Sequence, residues 1–253
     1  MICSRSGRVN SLLQYFLPMA SESMVRFDQV SKRYPPGIAA LTNVQFEIGR
    51  GELVVIEGHS GAGKSTLLKL IAAIERPTTG AVLVGGQNLG TLNRRAIPFF
   101  RRNLGLVLQN QNLLFDRSVL ENVMLPLSIA GFSPKEAPAR VRAALDKVGL
   151  LEREQAFPIA LSGGEQQRLA IARAVVSRPN LILADEPTAH LDMETAADVA
   201  TIFAEFNRVG VTVMLATYDR SLFPEARRLR LSHGSVVSRG SGWDTLWRQD
   251  ALR

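Results

Sequence analysis

The chain has a single cysteine, Cys3, in 253 residues. That excludes an internal disulfide framework and fits a reducing compartment, with the cytoplasm as the expectation. Long apolar runs are missing too: the uncharged stretches around Leu53 to Ile56 and Leu181 to Ala184 fall far short of the roughly 20 residues a membrane-spanning helix needs. There are no internal repeats or heptads, which excludes solenoids and long coiled coils. What is there is material for one large domain or two small ones, with an ordinary hydrophobic content of 46%. Thirty Lys plus Arg against 23 Asp plus Glu give a net charge of +7, which suits nucleic acid, an anionic membrane face or a plainly solvated basic surface.

The first residues differ from the rest. Arg5 and Arg8 precede a weakly apolar patch, Leu12 to Met19, broken by Gln14 and Pro18, which is too irregular for a signal peptide. Met24 then opens an alternating strand with Val25, Phe27 and Val30, so residues 1–23 read as a disordered extension or an upstream start. Further strands are expected at 44–48 and 53–57, then a glycine-rich loop and a helix from Lys64 to Glu75, with Leu67, Leu70, Ile71 and Ile74 on one face and Pro77 as its stop. A strand at Ala81 to Val84 turns through Gly85-Gly86, and another run, Gly105 to Gln109, follows a basic stretch. The middle is helical, with Ser133 and Glu136 in capping-box spacing and Pro138 as an early kink before the stop at Gly149. Beyond it, a helix from Ser162, a strand at Leu181 to Asp185, a helix near Glu194 to Arg208, a strand at Val211 to Ala216 and two short strands near 229–237 restore the alternation. The pattern is an α/β core interrupted by a helical insert.

Three motifs carry chemistry. Gly58-His59-Ser60-Gly61-Ala62-Gly63-Lys64-Ser65-Thr66 matches G-x-x-x-x-G-K-[ST] after a strand and before a helix, the context a P-loop requires. Its glycines let backbone N–H groups curl toward phosphates, Lys64 reaches the outer phosphates, and the Ser65 hydroxyl can ligate Mg²⁺. Leu181-Ile182-Leu183-Ala184-Asp185-Glu186 is an apolar strand ending in two carboxylates. Asp185 suits the metal shell, and Glu186 suits the orientation or deprotonation of a water attacking the γ-phosphate. Alone, such a strand end is an ordinary loop start; a P-loop in the same chain changes its meaning. Leu161-Ser162-Gly163-Gly164-Glu165-Gln166-Gln167-Arg168 reads physically as a capped helix start whose two glycines give an anion access to free N–H groups.

That last segment resembles the signature motif of the ABC family of ATP-binding subunits, and the resemblance spans Met24 to about Ser238. It implies an α/β P-loop NTPase fold of the ABC ATPase type, with an N-terminal antiparallel β subdomain and a helical signature subdomain at about 110–175, within an ATP-binding domain at 24–240 followed by a tail at 241–253. It implies Mg-ATP as ligand and a homodimer in which Ser162, Gly163, Gly164 and Gln166 of one protomer close on the γ-phosphate held by the other. It further implies Tyr34 as the adenine-stacking aromatic, Gln109 as the loop glutamine that senses γ-phosphate and metal, and Asp192 in the loop facing across the dimer. Catalysis falls to Glu186, Lys64, Gln109 and the second residue after the strand Val211 to Ala216. There the family usually has histidine and this chain has Tyr218. A phenol donates one hydrogen bond but has no charged form near neutral pH, so ATP binding is expected to survive while turnover is open. Ala189-His190, where the family commonly has Gly-Asn, is a smaller departure.

Within the family, segments outside the motifs are similar to the FtsE group of cell-division ATP-binding proteins: Leu67 to Ile71, Ile74 to Pro77, Ala143 to Leu151 and Glu205 to Val213. This implies ATPase work at the division site, on the cytoplasmic face of the bacterial inner membrane, with an FtsX-like integral membrane protein as partner. Contact is expected between Gln109 and Ser162, with Leu113-Leu114-Phe115 and Val119 either a docking patch or core packing. Arg94, Arg95, Arg101 and Arg102 either face anionic lipid or are solvated. The alternatives are the ATPase of a lipoprotein-release or macrolide-type exporter, and a nucleotide switch with little turnover. A DNA-acting ABC protein needs a long coiled coil between Lys64 and Ser162, for which there is no room, so direct contact with nucleic acid is not expected.

Overall fold

The computed structural model of the chain describes residues 23–219 and 221–237; the expectations for the first 22 residues and for the tail lie outside them. Two sheets organise the molecule. Strands β1 (Ser23–Tyr34), β2 (Ile38–Gly49), β4 (Thr79–Val84) and β5 (Gln87–Asn88) form an antiparallel sheet in the order β2-β1-β4-β5. The second sheet has the order β10-β9-β3-β8-β7-β6, from β3 (Leu53–Glu57), β6 (Leu104–Val107), β7 (Leu181–Asp185), β8 (Thr212–Ala216), β9 (Arg227–Ser232) and β10 (Ser235–Val236). All its pairs are parallel except β9 with β10.

The central strands read as continuous apolar runs because both of their faces are covered. Their side chains alternate between two cores. Val54, Ile56, Leu181, Leu183, Met214 and Ala216 meet α1 (Lys64–Ile71) and the antiparallel sheet, where Phe27 stacks on Phe46 with ring centres 4.6 Å apart. Val55, Ile182, Ala184, Val213 and Leu215 meet the helical side, formed by α3 (Val119–Ala130), α4 (Ala137–Lys147), α5 (Gly163–Val175) and α6 (Met193–Arg208). A one-residue slip in any of these strands would exchange its two cores. Among the described residues, no helix is long and apolar enough to cross a membrane.

Several sequence expectations need correction. Helix α1 ends at Ile71 rather than Glu75. Ala73 takes a left-handed φ of 52° and Ile74 N–H reaches back to the Lys69 carbonyl at 2.9 Å, a Schellman ending. Arg101, on the short helix α2 (Ile97–Arg101) that the sequence did not suggest, then donates to the Ala72 and Ala73 carbonyls at 3.0 and 2.8 Å. A guanidinium is favourable at that negative helix end. Arg102 likewise donates to the Ile129 carbonyl at 3.0 Å and lies over Phe99. Both arginines are half-buried and tied to backbone carbonyls, whereas Arg94 and Arg95 are exposed. Pro138 does not kink a helix: Ser133 to Glu136 forms a separate turn, and Pro138 sits in the first turn of α4, where its missing N–H costs nothing. Of the expected docking patch, Leu113 and Val119 are buried core, and only Leu114 and Phe115 are exposed.

Candidate nucleotide site

Parallel strands expose their carboxyl ends along one edge of a sheet, and ligands bind in the crevice there. Four neighbours in the sheet, β3, β8, β7 and β6, deliver to that edge the P-loop, Tyr218, Glu186 and Gln109 respectively. The register fixes them relative to one another: Ile56 pairs with Ala216, Ala184 with Leu215 and Val107 with Ala184.

The P-loop curls between β3 and α1. Gly63, the N-cap of α1, has φ 106°, and a Cβ there would lie 2.6 Å from the Ala40 carbonyl oxygen. A Cβ on Gly58 would lie 2.5 Å from the Leu231 carbonyl oxygen. Both glycines are required by the packing of β2 and β9 against the loop. Around Gly61 a Cβ would meet nothing within 4 Å, so that part of the loop is open. No side chain caps α1, leaving its first N–H groups for an anion. His59 and Ser60 are exposed at the bend, the His59 Nδ1–H donating to the Ser60 carbonyl at 2.7 Å and its ring 4.8 Å from that of His233. Ala62 is buried, and Ser65 and Thr66 follow Lys64 into the helix half-buried.

Lys64 is 7% exposed. Its ammonium donates to the Gly58 carbonyl at 2.9 Å, lies 3.6 Å from Glu186 Oε1 and sits 3.7 Å from the centre of the Tyr218 ring. Glu186 has a left-handed φ of 50° just past β7; its N–H donates to the Ala216 carbonyl and its Oε2 accepts from Tyr218 N–H at 3.3 Å. Burial pushes its carboxyl pKa up; the Lys64 charge and the Tyr218 N–H pull it down, and neighbouring Asp185 adds to the rise. Asp185 is buried, its Oδ1 has no hydrogen-bond partner, and it lines a small recess together with Ser65. A buried carboxylate oxygen in that condition beside a hydroxyl fits a hard divalent cation such as Mg²⁺.

The remaining expected residues are distributed. Tyr34 ends β1, half-buried, with the Lys32 ammonium 4.7 Å over its ring. Gln109 is exposed in the bend after β6. Ser162 is the N-cap of α5 in a full capping box with Glu165. The two signature glycines differ in what a side chain would meet: Gly163 faces open space, whereas a Cβ on Gly164 would lie 2.3 Å from Thr195 Cγ2, at the start of α6. Only Gly163 presents an open face. The Gln166 amide donates to the Pro158 and Leu161 carbonyls, bracing the turn before the signature. Asp192 caps α6 by accepting from Thr195 N–H and Oγ1–H, which holds its pKa low.

One cluster escaped the sequence reading. Buried Gln167 accepts from the Gln111 side chain at 2.9 Å, and Arg173 donates to the carbonyls of Gln111 and Asn112, at 2.8 Å to the latter. The signature helix thus clamps the segment just past Gln109. Its only sequence signal is an arginine set among Leu169, Ala170, Ala172 and Val176, on a helix whose neighbouring positions are buried.

The comparisons with known proteins agree with this geometry. The family described as ABC transporter matches residues 41–189. The cell division ATP-binding protein FtsE of Escherichia coli K12 is 52% identical over 215 residues, covering 84% of this chain and 97% of that protein. The Haemophilus influenzae FtsE is 47% identical over 203 residues, covering 80% and 93%. A methionine import ATP-binding protein, MetN of Bradyrhizobium diazoefficiens, is 40% identical over 225 residues but is matched over only 65% of its length, against 86% of this chain. Among solved structures, a dimeric post-hydrolysis state of the ATP-binding cassette MJ0796 bound to ADP and Pi superimposes with a TM-score of 0.80 at 36% identity, covering 86% of this chain and all of that one. With the family match over residues 41–189 and 52% identity over 84% of the chain, the chain belongs to the ABC transporter family of ATP-binding proteins, as an ATPase of the ABC class.

Proposed function

We propose that the chain is the ATP-hydrolysing subunit of an ABC-type cell-division complex, acting as a homodimer with Mg-ATP between the protomers. The observation that carries the catalytic part is the meeting of Lys64, Asp185 and Glu186 at the carboxyl edge of the sheet, with the Lys64 ammonium 3.6 Å from Glu186 Oε1. Lys64 and the α1 N–H groups bind the outer phosphates, and Tyr34 stacks on the adenine. Mg²⁺, held by Ser65, Asp185 and Gln109, would neutralise phosphate charge. Glu186 takes a proton from water as the water oxygen bonds to the γ-phosphorus and the bond to the bridging oxygen breaks. Lys64 balances the charge that gathers on the phosphate oxygens.

The separation of the signature from this edge supports a dimer. Ser162 and Gly163 open on the helical side, tied to α6 and to the 158–161 turn, so the face of Gly163 is available to a second copy. Two-fold pairing then completes two sites at once. We assign residues 24–240 to the ATP-binding domain, with a helical subdomain at about 110–175. The division role rests on 52% identity extending over 97% of the Escherichia coli relative. The role as proposed puts an FtsX-like integral membrane partner beside the chain, on the cytoplasmic face of the inner membrane. Exposed Leu114 and Phe115, beside Gln109, are the apolar side chains offered to it.

Affinity purification of the chain from membranes of its own cells tests this reading. Recovery of a four-span division protein, lost on Leu114→Asp with Phe115→Asp, is expected. Recovery of an exporter or importer permease in its place overturns the division role and leaves the ATPase assignment intact.

A further inference from the structure

We infer that Tyr218 gates the nucleotide site, its ring competing with the outer phosphates of ATP for the Lys64 ammonium. The inference rests on the ATP-binding reading above and deepens it. An ammonium that is 7% exposed must be satisfied by protein groups. Lys64 has three: the Gly58 carbonyl, the Glu186 carboxylate and the face of the Tyr218 ring, 3.7 Å from ring centre to nitrogen. The first two lie on the residues that directly follow β3 and β7. The third sits on a side chain that is 57% exposed and can swing into solvent.

The backbone beneath the ring is fixed. Tyr218 N–H donates to Glu186 Oε2 at 3.3 Å, and the buried Thr217 accepts from Asp219 N–H at 3.1 Å. Rotation about the Tyr218 side-chain bonds therefore moves the ring without moving Glu186. The phosphates need the ammonium that the ring covers, so the two occupy Lys64 alternately. An aromatic face is suited to this because it holds a cation by its quadrupole yet adds no charge of its own to repel the incoming phosphates. An imidazole has a smaller face and, when protonated, repels an ammonium.

A desolvated cation–π contact corresponds to about five- to thirtyfold in affinity, and ATP must displace it. The test is titration of the full chain, wild type and variants, with Mg-ATP by calorimetry. Tyr218→Leu is expected to bind about five- to thirtyfold more tightly than wild type, and Tyr218→Phe, which keeps the ring face, to bind within about twofold of wild type. A gain of affinity rescued by phenylalanine does not arise from structural damage, and the exposed position makes Tyr218→Ala an equivalent second variant. The gate is overturned if Tyr218→Leu binds no more tightly than wild type, or if Tyr218→Phe behaves like Tyr218→Leu. Lys64→Ala separates the two levels: if wild type binds no ATP, or binds it independently of Lys64, the ATP-site reading itself falls and the gate with it.

Discussion

Glu186 carries opposite pulls on one carboxyl group: burial and Asp185 raise its pKa, while Lys64 and the Tyr218 N–H lower it, and the rise prevails. A general base works only when deprotonated, so turnover persists at high pH and falls as pH drops through the raised value. The acid limb of the kcat/KM profile, which reports the free enzyme, is expected above the ordinary carboxylate range, and a limb at or below that range contradicts the role. Stability runs the opposite way. With the folded pKa above the unfolded one, the contribution of this group is fully present at low pH and is lost as pH rises through the folded value. Glu186→Gln, neutral throughout, should therefore melt higher than wild type near pH 7, with the gap closing on acidification. The same variant should keep ATP binding and lose about 10²- to 10⁴-fold in single-turnover hydrolysis. Residues of this kind were legible beforehand, because Lys64, Asp185 and Glu186 declare themselves by identity and spacing. The contacts of Tyr218 with Lys64 were not, since they join positions more than 150 residues apart through the register of β3 with β8.

The two signature glycines separate folding from function at the start of one helix. Gly164→Ala places a methyl against Thr195 Cγ2 and should cost about 1–3 kcal/mol in denaturant unfolding. Thr195→Ser removes that methyl, keeps the hydroxyl that bonds Asp192, and should restore most of the loss. Gly163→Ala meets nothing in the chain and should leave stability within about 0.5 kcal/mol while lowering ATPase activity. Equal destabilisation by both substitutions contradicts the distinction. Elements buried on both faces were read correctly: β3 and β7 have the expected bounds because nothing but apolar packing defines them. Strands β1 and β2 run further than expected because their hairpin continues beyond the core through several register shifts. Helix α1 stops early because Arg101, 29 and 28 positions from its carbonyl partners, caps it. Such long-range capping leaves no periodicity in a sequence.

At the scale of the whole molecule, the P-loop and the open face of the signature helix lie on different layers of the same chain, joined by the clamp of Gln167 and Arg173 on the segment after Gln109. That arrangement ties the segment just past Gln109 to the signature helix by side-chain hydrogen bonds. It is the arrangement that the proposed two-fold dimer requires. The dimer is the central claim, and sedimentation of Glu186→Gln with and without Mg-ATP tests it most directly. The account predicts a shift from monomer to dimer on adding ATP, reversed by Gly163→Asp, which sets a carboxylate against the partner's γ-phosphate. A protein that binds ATP through Lys64 yet sediments unchanged as a monomer would contradict it.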